Sequence, residues 1–204
     1  AHRISLLIAG ALMTQIIAAS GQAVTYPVDS FQPTGTRGFS YSGGKIGSVW
    51  SNWFGGAFQS LSWDSATDAD GSATSGSMKI LANFSGSNNQ FTVINGFTGI
   101  SPSISARQFT ALECDVKFAP GSATYLRNGV ATFGNVEFGM ATPSYGQLYF
   151  GGMYIPATET GWVHITIPLN PATNPNLLKI TNVMVHIWGG SSLVGGSTLW
   201  VDNL

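Results

Sequence analysis

Glu113 and Asp115 stand two residues apart in the run FTALECDVKF, and such a pair on one strand face could supply the acid and base of a glycoside hydrolase. A third acid would complete an E-x-D-x-E pattern, but position 117 is Lys. Glu137 is a further carboxylate open to a hydrolase or a polysaccharide lyase. His164 and His186 fall at outward positions of alternating runs, where a lone imidazole is a surface group more often than a metal ligand or proton carrier. No nucleophile elbow, phosphate loop or zinc-ligand spacing occurs.

Aromatic and amide side chains make the stronger pattern. Flat rings cover the C–H face of a pyranose, while amides, carboxylates and hydroxyls bond its hydroxyl groups. Trp162, Trp188 and Tyr149 occupy outward positions beside Asn135, Glu137, Gln147, His164 and His186, and Tyr41, Trp50 and Trp53 lie in a long aromatic loop. The expected binding set is therefore Trp53, Asn135, Glu137, Gln147, Tyr149, Trp162, His186 and Trp188. Trp63 and Trp200 are assigned to structure.

The elements that must carry these groups alternate with a period of two, as strands with one buried face do. In 182–188 Val183, Val185 and Ile187 share one face, and Met184, His186 and Trp188 the other. The same alternation sets Val163, Ile165, Ile167 and Leu169 inward, and places Val136, Phe138 and Met140 opposite Asn135, Glu137 and Gly139. Further strands are predicted near 28–31, 58–63, 76–84, 90–93, 109–118, around 148–150 and at the C-terminus. The stretch 125–130 reads as a polar connection and DSATDADGSATS (64–75) as a turn or metal-binding loop. Many short strands with Gly and Pro punctuation, and no convincing helix, predict an all-β, antiparallel two-sheet sandwich.

The chain has 204 residues, 44% hydrophobic and 8% charged, with 26 Gly and a formal net charge of -1. That length can bury one substantial core. So few cations leave no electrostatic footprint for nucleic acid. The single cysteine, Cys114, excludes an internal disulfide and sits on the apolar face of its run, as a small buried hydrophobe does. His2 and Arg3 precede an uncharged apolar stretch that ends in Ala18-Ala19-Ser20-Gly21. This reads as a secretory signal peptide over 1–23, with a sandwich domain over 24–204, a secreted or cell-surface location and no membrane contact after signal removal.

Three stretches in order, VDSFQ (28–32), SGSMKI (75–80) and TGWVHITIPL (160–169), followed by the terminal LWVDNL (199–204), resemble the galactose-binding-like jelly-roll carbohydrate-binding modules appended to secreted bacterial glycoside hydrolases. The resemblance implies a non-catalytic module that binds a polysaccharide, with a catalytic domain possible in a longer chain. It also implies a structural calcium held by Asp29 and Asp202, helped by backbone oxygens around 75–77. Where many relatives carry an acid after the first-strand aromatic, this chain has Gln32. Two alternatives stay open: a hydrolase or lyase using Glu113, Asp115 or Glu137, and a structural or adhesive surface domain.

Overall fold

The computed structural model describes residues 28–29, 31, 50–95, 109–142, 148–170 and 172–204; the side chains of 148–150, 178 and 179 are not described. The expected signal segment, Gln32, Tyr41 and Gln147 lie outside these residues. The described chain forms eleven strands: β1 (Trp50–Phe54), β2 (Phe58–Asp64), β3 (Ser77–Phe84), β4 (Gln90–Asn95), β5 (Ala111–Phe118), β6 (Tyr125–Arg127), β7 (Val130–Ala141), β8 (Leu148–Pro156), β9 (Val163–Pro168), β10 (Asn182–Trp188) and β11 (Gly195–Asp202). A short 3-10 helix, Pro175–Lys179, precedes β10. Among the described residues no helix is long and apolar enough to cross a membrane.

Two antiparallel sheets form the expected sandwich. One is six-stranded, in the order β1-β4-β10-β7-β6 with β8 also on β7; the other is five-stranded, in the order β2-β3-β11-β5-β9. The last two strands fall in different sheets, and each is an interior strand of its own. Their inward residues, Val183, Val185 and Ile187 from β10 and Leu199 and Val201 from β11, are buried in one core with Met78, Ile80, Phe91, Val93, Val116, Phe138 and Ile165. Phe118 of β5 and Phe133 of β7 stack between the sheets, centroids 4.6 Å apart and rings 7° from parallel. Cys114 is wholly buried, and burial holds its thiol well above the usual range, the state of an inert core residue.

The N-terminal motif anchors the end of the last strand. The amides of Val28 and Asp29 both donate to the Leu204 carbonyl, and the Leu204 amide donates to the Asp29 carbonyl. Asp29 Oδ1 accepts the Phe31 amide at 2.8 Å, an Asx-type turn that supports Phe31 at φ 50°.

Two expectations are corrected. Trp50, expected in a long aromatic loop, is wholly buried and donates its indole N–H to Asp29, because β1 begins there and turns its first residue into the core. The stretch 125–130 is not a plain connection: β6 and the start of β7 form a hairpin whose turn residues Asn128 and Gly129 both take positive φ, the geometry of a type I′ turn.

Candidate functional site

A single bulge decides which side chains reach the outer face of the six-stranded sheet. Between Thr132 and Asn135 the β7–β8 register shifts, and Gly134 sits there at φ 120°, a conformation glycine takes without steric cost. Beyond it, Asn135 and Glu137 point away from the core while Val136 and Phe138 are buried within it. Cross-strand registration then builds two rows. One runs Gln90, Trp188, Asn135, Tyr154; the other runs Phe54, Thr92, His186, Glu137, Gly152.

The first row is the more open. Trp188 is 37% exposed, and the Arg127 guanidinium stacks on Tyr154 at 3.2 Å from the ring centroid. The Asn135 amide donates to Glu137 Oε1, while its own Oδ1 has no hydrogen-bond partner among the described residues. In the second row His186 Nδ1 meets Thr92 Oγ1 at 3.2 Å. Burial pushes the His186 imidazole down to about 4, so the ring is neutral near pH 7, and burial also raises the Glu137 carboxyl despite the Asn135 hydrogen bond.

At the β1 end, Trp53 is 39% and Phe54 53% exposed on a strand that bulges between Asn52 and Phe54. Further along the same face Ile94, Met184 and Ala141 form a small buried cluster. The open part of the face is therefore the half that carries Trp188, His186 and Glu137: an aromatic-lined surface with polar groups at its centre.

No protein-family profile and no curated protein matches the chain. Solved structures do. The CBM27-1 module of Caldicellulosiruptor saccharolyticus, determined with mannohexaose, is similar at TM-score 0.54 and 13% identity over 88% of this chain and 96% of that one. A CBM28 module described as specific for non-crystalline cellulose gives TM-score 0.52 and 13% identity, covering 80% and 88% of the two chains.

The fold is that of the β-sandwich carbohydrate-binding modules. An exo-β-agarase is also similar, at TM-score 0.51 and 10% identity over 81% of this chain. This chain spans 24% of that enzyme's length, and 59% of a further chain described for promiscuous carbohydrate-binding specificity.

Within this sandwich the sequence-predicted residues divide between opposite sides. Trp188, His186, Glu137 and Asn135 share one face, with Trp53 on the edge strand beside it. Trp162 immediately precedes β9, the edge strand of the five-stranded sheet, so the structure does not bring it to Trp188. The Tyr149 backbone pairs with Met140 of β7.

Of the carboxylates of the hydrolase alternative, Glu113 and Asp115 stay together on β5 and Glu137 lies apart from them. Glu113 and Asp115 are in the five-stranded sheet and Glu137 in the six-stranded one. Asp115 is engaged by His164 Nδ1 at 3.0 Å and Asn203 Nδ2 at 3.0 Å.

Tyr154, Arg127 and Phe54 escaped the sequence reading. Tyr154 was hidden because the alternation of the sequence puts it in the series of Leu148 and Phe150, opposite the Gln147 and Tyr149 series read as outward. Arg127 was hidden because its stacking on Tyr154 depends on the β6–β7 hairpin.

The two carboxylates expected to share calcium are occupied by donors from the chain. Asp29 is held by the Phe31 amide and by the Trp50 indole at 2.9 Å. Asp202 accepts the amides of Ala69 and Asn203, both at 2.8 Å. Burial, with the charges of Asp68 and Asp70, pushes the Asp202 carboxyl up to about 7, as expected where negative charge is crowded beneath a loop. Among the described residues no group of three or more His, Cys, Asp or Glu is placed to hold a metal ion.

Proposed function

We propose that the open half of the six-stranded sheet binds a neutral polysaccharide without cleaving it. The observation that carries this reading is the row Gln90–Trp188–Asn135–Tyr154, in which a part-exposed indole lies between amides and a ring capped by Arg127. An indole face covers the apolar side of a sugar ring. Glu137 and neutral His186 lie one row away to bond further hydroxyls. The similarity to modules solved with mannohexaose or specific for cellulose supports a glycan ligand.

The same reading places the protein outside the cell or on its surface, on the strength of the 1–23 segment, and joins it to a catalytic domain in a longer chain. A structural calcium at the Asp202 end is its remaining part. The crowding of Asp68 and Asp70 on Asp202 supports it, because a cation would relieve that repulsion. Asp29, with both oxygens bonded to N–H groups, fits the ion less well.

Affinity electrophoresis through soluble glucans, xylans and mannans tests the proposal. At least one polysaccharide should retard the protein, and Trp188→Ala should abolish the retardation. Unchanged migration on every polysaccharide would overturn it.

A further inference from the structure

Among the described side chains the exposed tryptophans and phenylalanines are Trp53, Phe54 and Trp188, and all three belong to β1 and β10 of the six-stranded sheet. Apolar rings gathered at one place on a surface mark a binding site more than rings scattered singly do.

Phe54 is brought there by the bulge in β1. Trp50 pairs with Asn95, Ser51 with Ile94 and Asn52 with Val93. An unbroken ladder would go on to set Trp53 against Thr92 and Phe54 against Phe91, whose ring lies in the core. The register shift makes Trp53 the extra residue and sets Phe54 against Thr92 instead. Paired residues share a face, so Phe54 joins Thr92, His186 and Glu137 on the outer one, where it is 53% exposed. Strict alternation from Trp50 would have turned it inward.

Phe54 and Trp188 stand on either side of β4. Across the sheet they are two strand spacings apart, about 10 Å, and along it one outward position apart, about 7 Å, so their backbone positions are about 12 Å from each other. That is close to the length of two linked pyranose rings. The outward positions of β4 between them are Thr92, which is buried and hydrogen-bonded to His186, and Gln90, which pairs with Trp188. A hydroxyl floor and one amide therefore lie between the two aromatics.

We propose that, given a glycan on this face as read above, Phe54 is a second sugar-stacking position and selects an extended, equatorially linked chain, the ribbon of cellulose, mannan or xylan backbones, laid across the strands from Trp188 to Phe54. Successive rings of such a ribbon are turned over relative to one another, so rings two apart present the same face to the same side. One covers the Trp188 indole and the other the Phe54 phenyl. The ring between them passes over β4, where the Gln90 amide bonds its hydroxyls. A coiled chain, as in amylose or laminarin, turns its rings away over that distance and covers one aromatic at a time.

Calorimetric titration with cellohexaose, mannohexaose and xylohexaose, and with maltohexaose and laminarihexaose as coiled controls, tests this. At least one ribbon hexaose should bind, and more tightly than either coiled one. Phe54→Ala should weaken that binding about tenfold with an unchanged melting temperature, and Phe54→Tyr should retain it. The matching disaccharide, which reaches one aromatic, should bind wild type and Phe54→Ala alike. Leu81→Ala, which removes an exposed apolar side chain from the five-stranded sheet, should change nothing. Hexaose binding that survives Phe54→Ala, an equal loss for hexaose and disaccharide, or tighter binding of a coiled hexaose would overturn the proposal. Binding lost with Trp188→Ala and kept with Phe54→Ala would overturn it while the glycan reading stands, whereas no binding of any hexaose, with unchanged migration on every polysaccharide, would remove both.

Discussion

Asp29 accepts the indole N–H of Trp50 at 2.9 Å, and both residues are wholly buried. The contact ties the chain entering the domain to the first residue of the six-stranded sheet, while the Asp29 backbone pairs with Leu204 at the other end of the sequence. Asp29→Ala strands two N–H donors in the interior and should cost about 3 kcal/mol. Urea denaturation measures it. The loss should be the same with and without calcium, and a loss seen solely in calcium would mean that Asp29 acts as a metal ligand instead.

Of the two outward tryptophans of the sequence reading, Trp188 lies in the six-stranded sheet and Trp162 just before the edge strand of the five-stranded one, which makes them a matched pair. Trp188→Ala should weaken neutral-polysaccharide binding about tenfold or more, the effect of removing a central aromatic anchor. Trp162→Ala should leave that binding unchanged. Equal losses in the two variants would contradict the assignment of the site to the six-stranded sheet.

His186 predicts an acid limit to stability. Its imidazole titrates near 4 in the folded protein against an ordinary value of 6.5, so the unfolded chain binds more protons between those values. The stability contributed by neutral His186 is therefore complete above about pH 6.5 and is lost as pH falls toward about 4. Glu137, raised by burial, acts in the opposite sense at the acid end. Melting temperatures from pH 8 to 4 should fall less steeply in His186→Gln than in wild type, and parallel curves would show that the ring is not held neutral.

Gly134 joins the fold to the site. At φ 120° an alanine there is strained, and its Cβ would come 3.2 Å from the Trp188 carbonyl. Gly134→Ala should destabilise the protein by about 2 kcal/mol and weaken glycan binding beyond what lost stability explains, because Asn135 follows the bulge directly. Full affinity in the folded variant would show that the bulge does not set the site.

Chelation bears on the calcium reading. EDTA should lower the melting temperature of wild-type protein and have no effect on Asp202→Asn. A melting temperature insensitive to EDTA and to added calcium would remove the ion.

Alternation alone determined much of this protein. A strand with one face on a core and one in water must write its period into the sequence, so the inward series of β3, β5, β7, β9 and β10 were readable residue by residue, as was the burial of Cys114. Assignment of a strand to a sheet leaves no local trace, because it depends on contacts between segments distant in the chain. Trp162 and Trp188 look alike in sequence for that reason, although Trp188 lies in the six-stranded sheet and Trp162 just before the edge strand of the other. Trp50 reads as a loop aromatic until Asp29, 21 residues earlier, supplies the acceptor that lets its indole be buried. Lys79, Lys117 and Trp200 come from three separate parts of the sequence, and only the pairing of β3, β11 and β5 makes them neighbours.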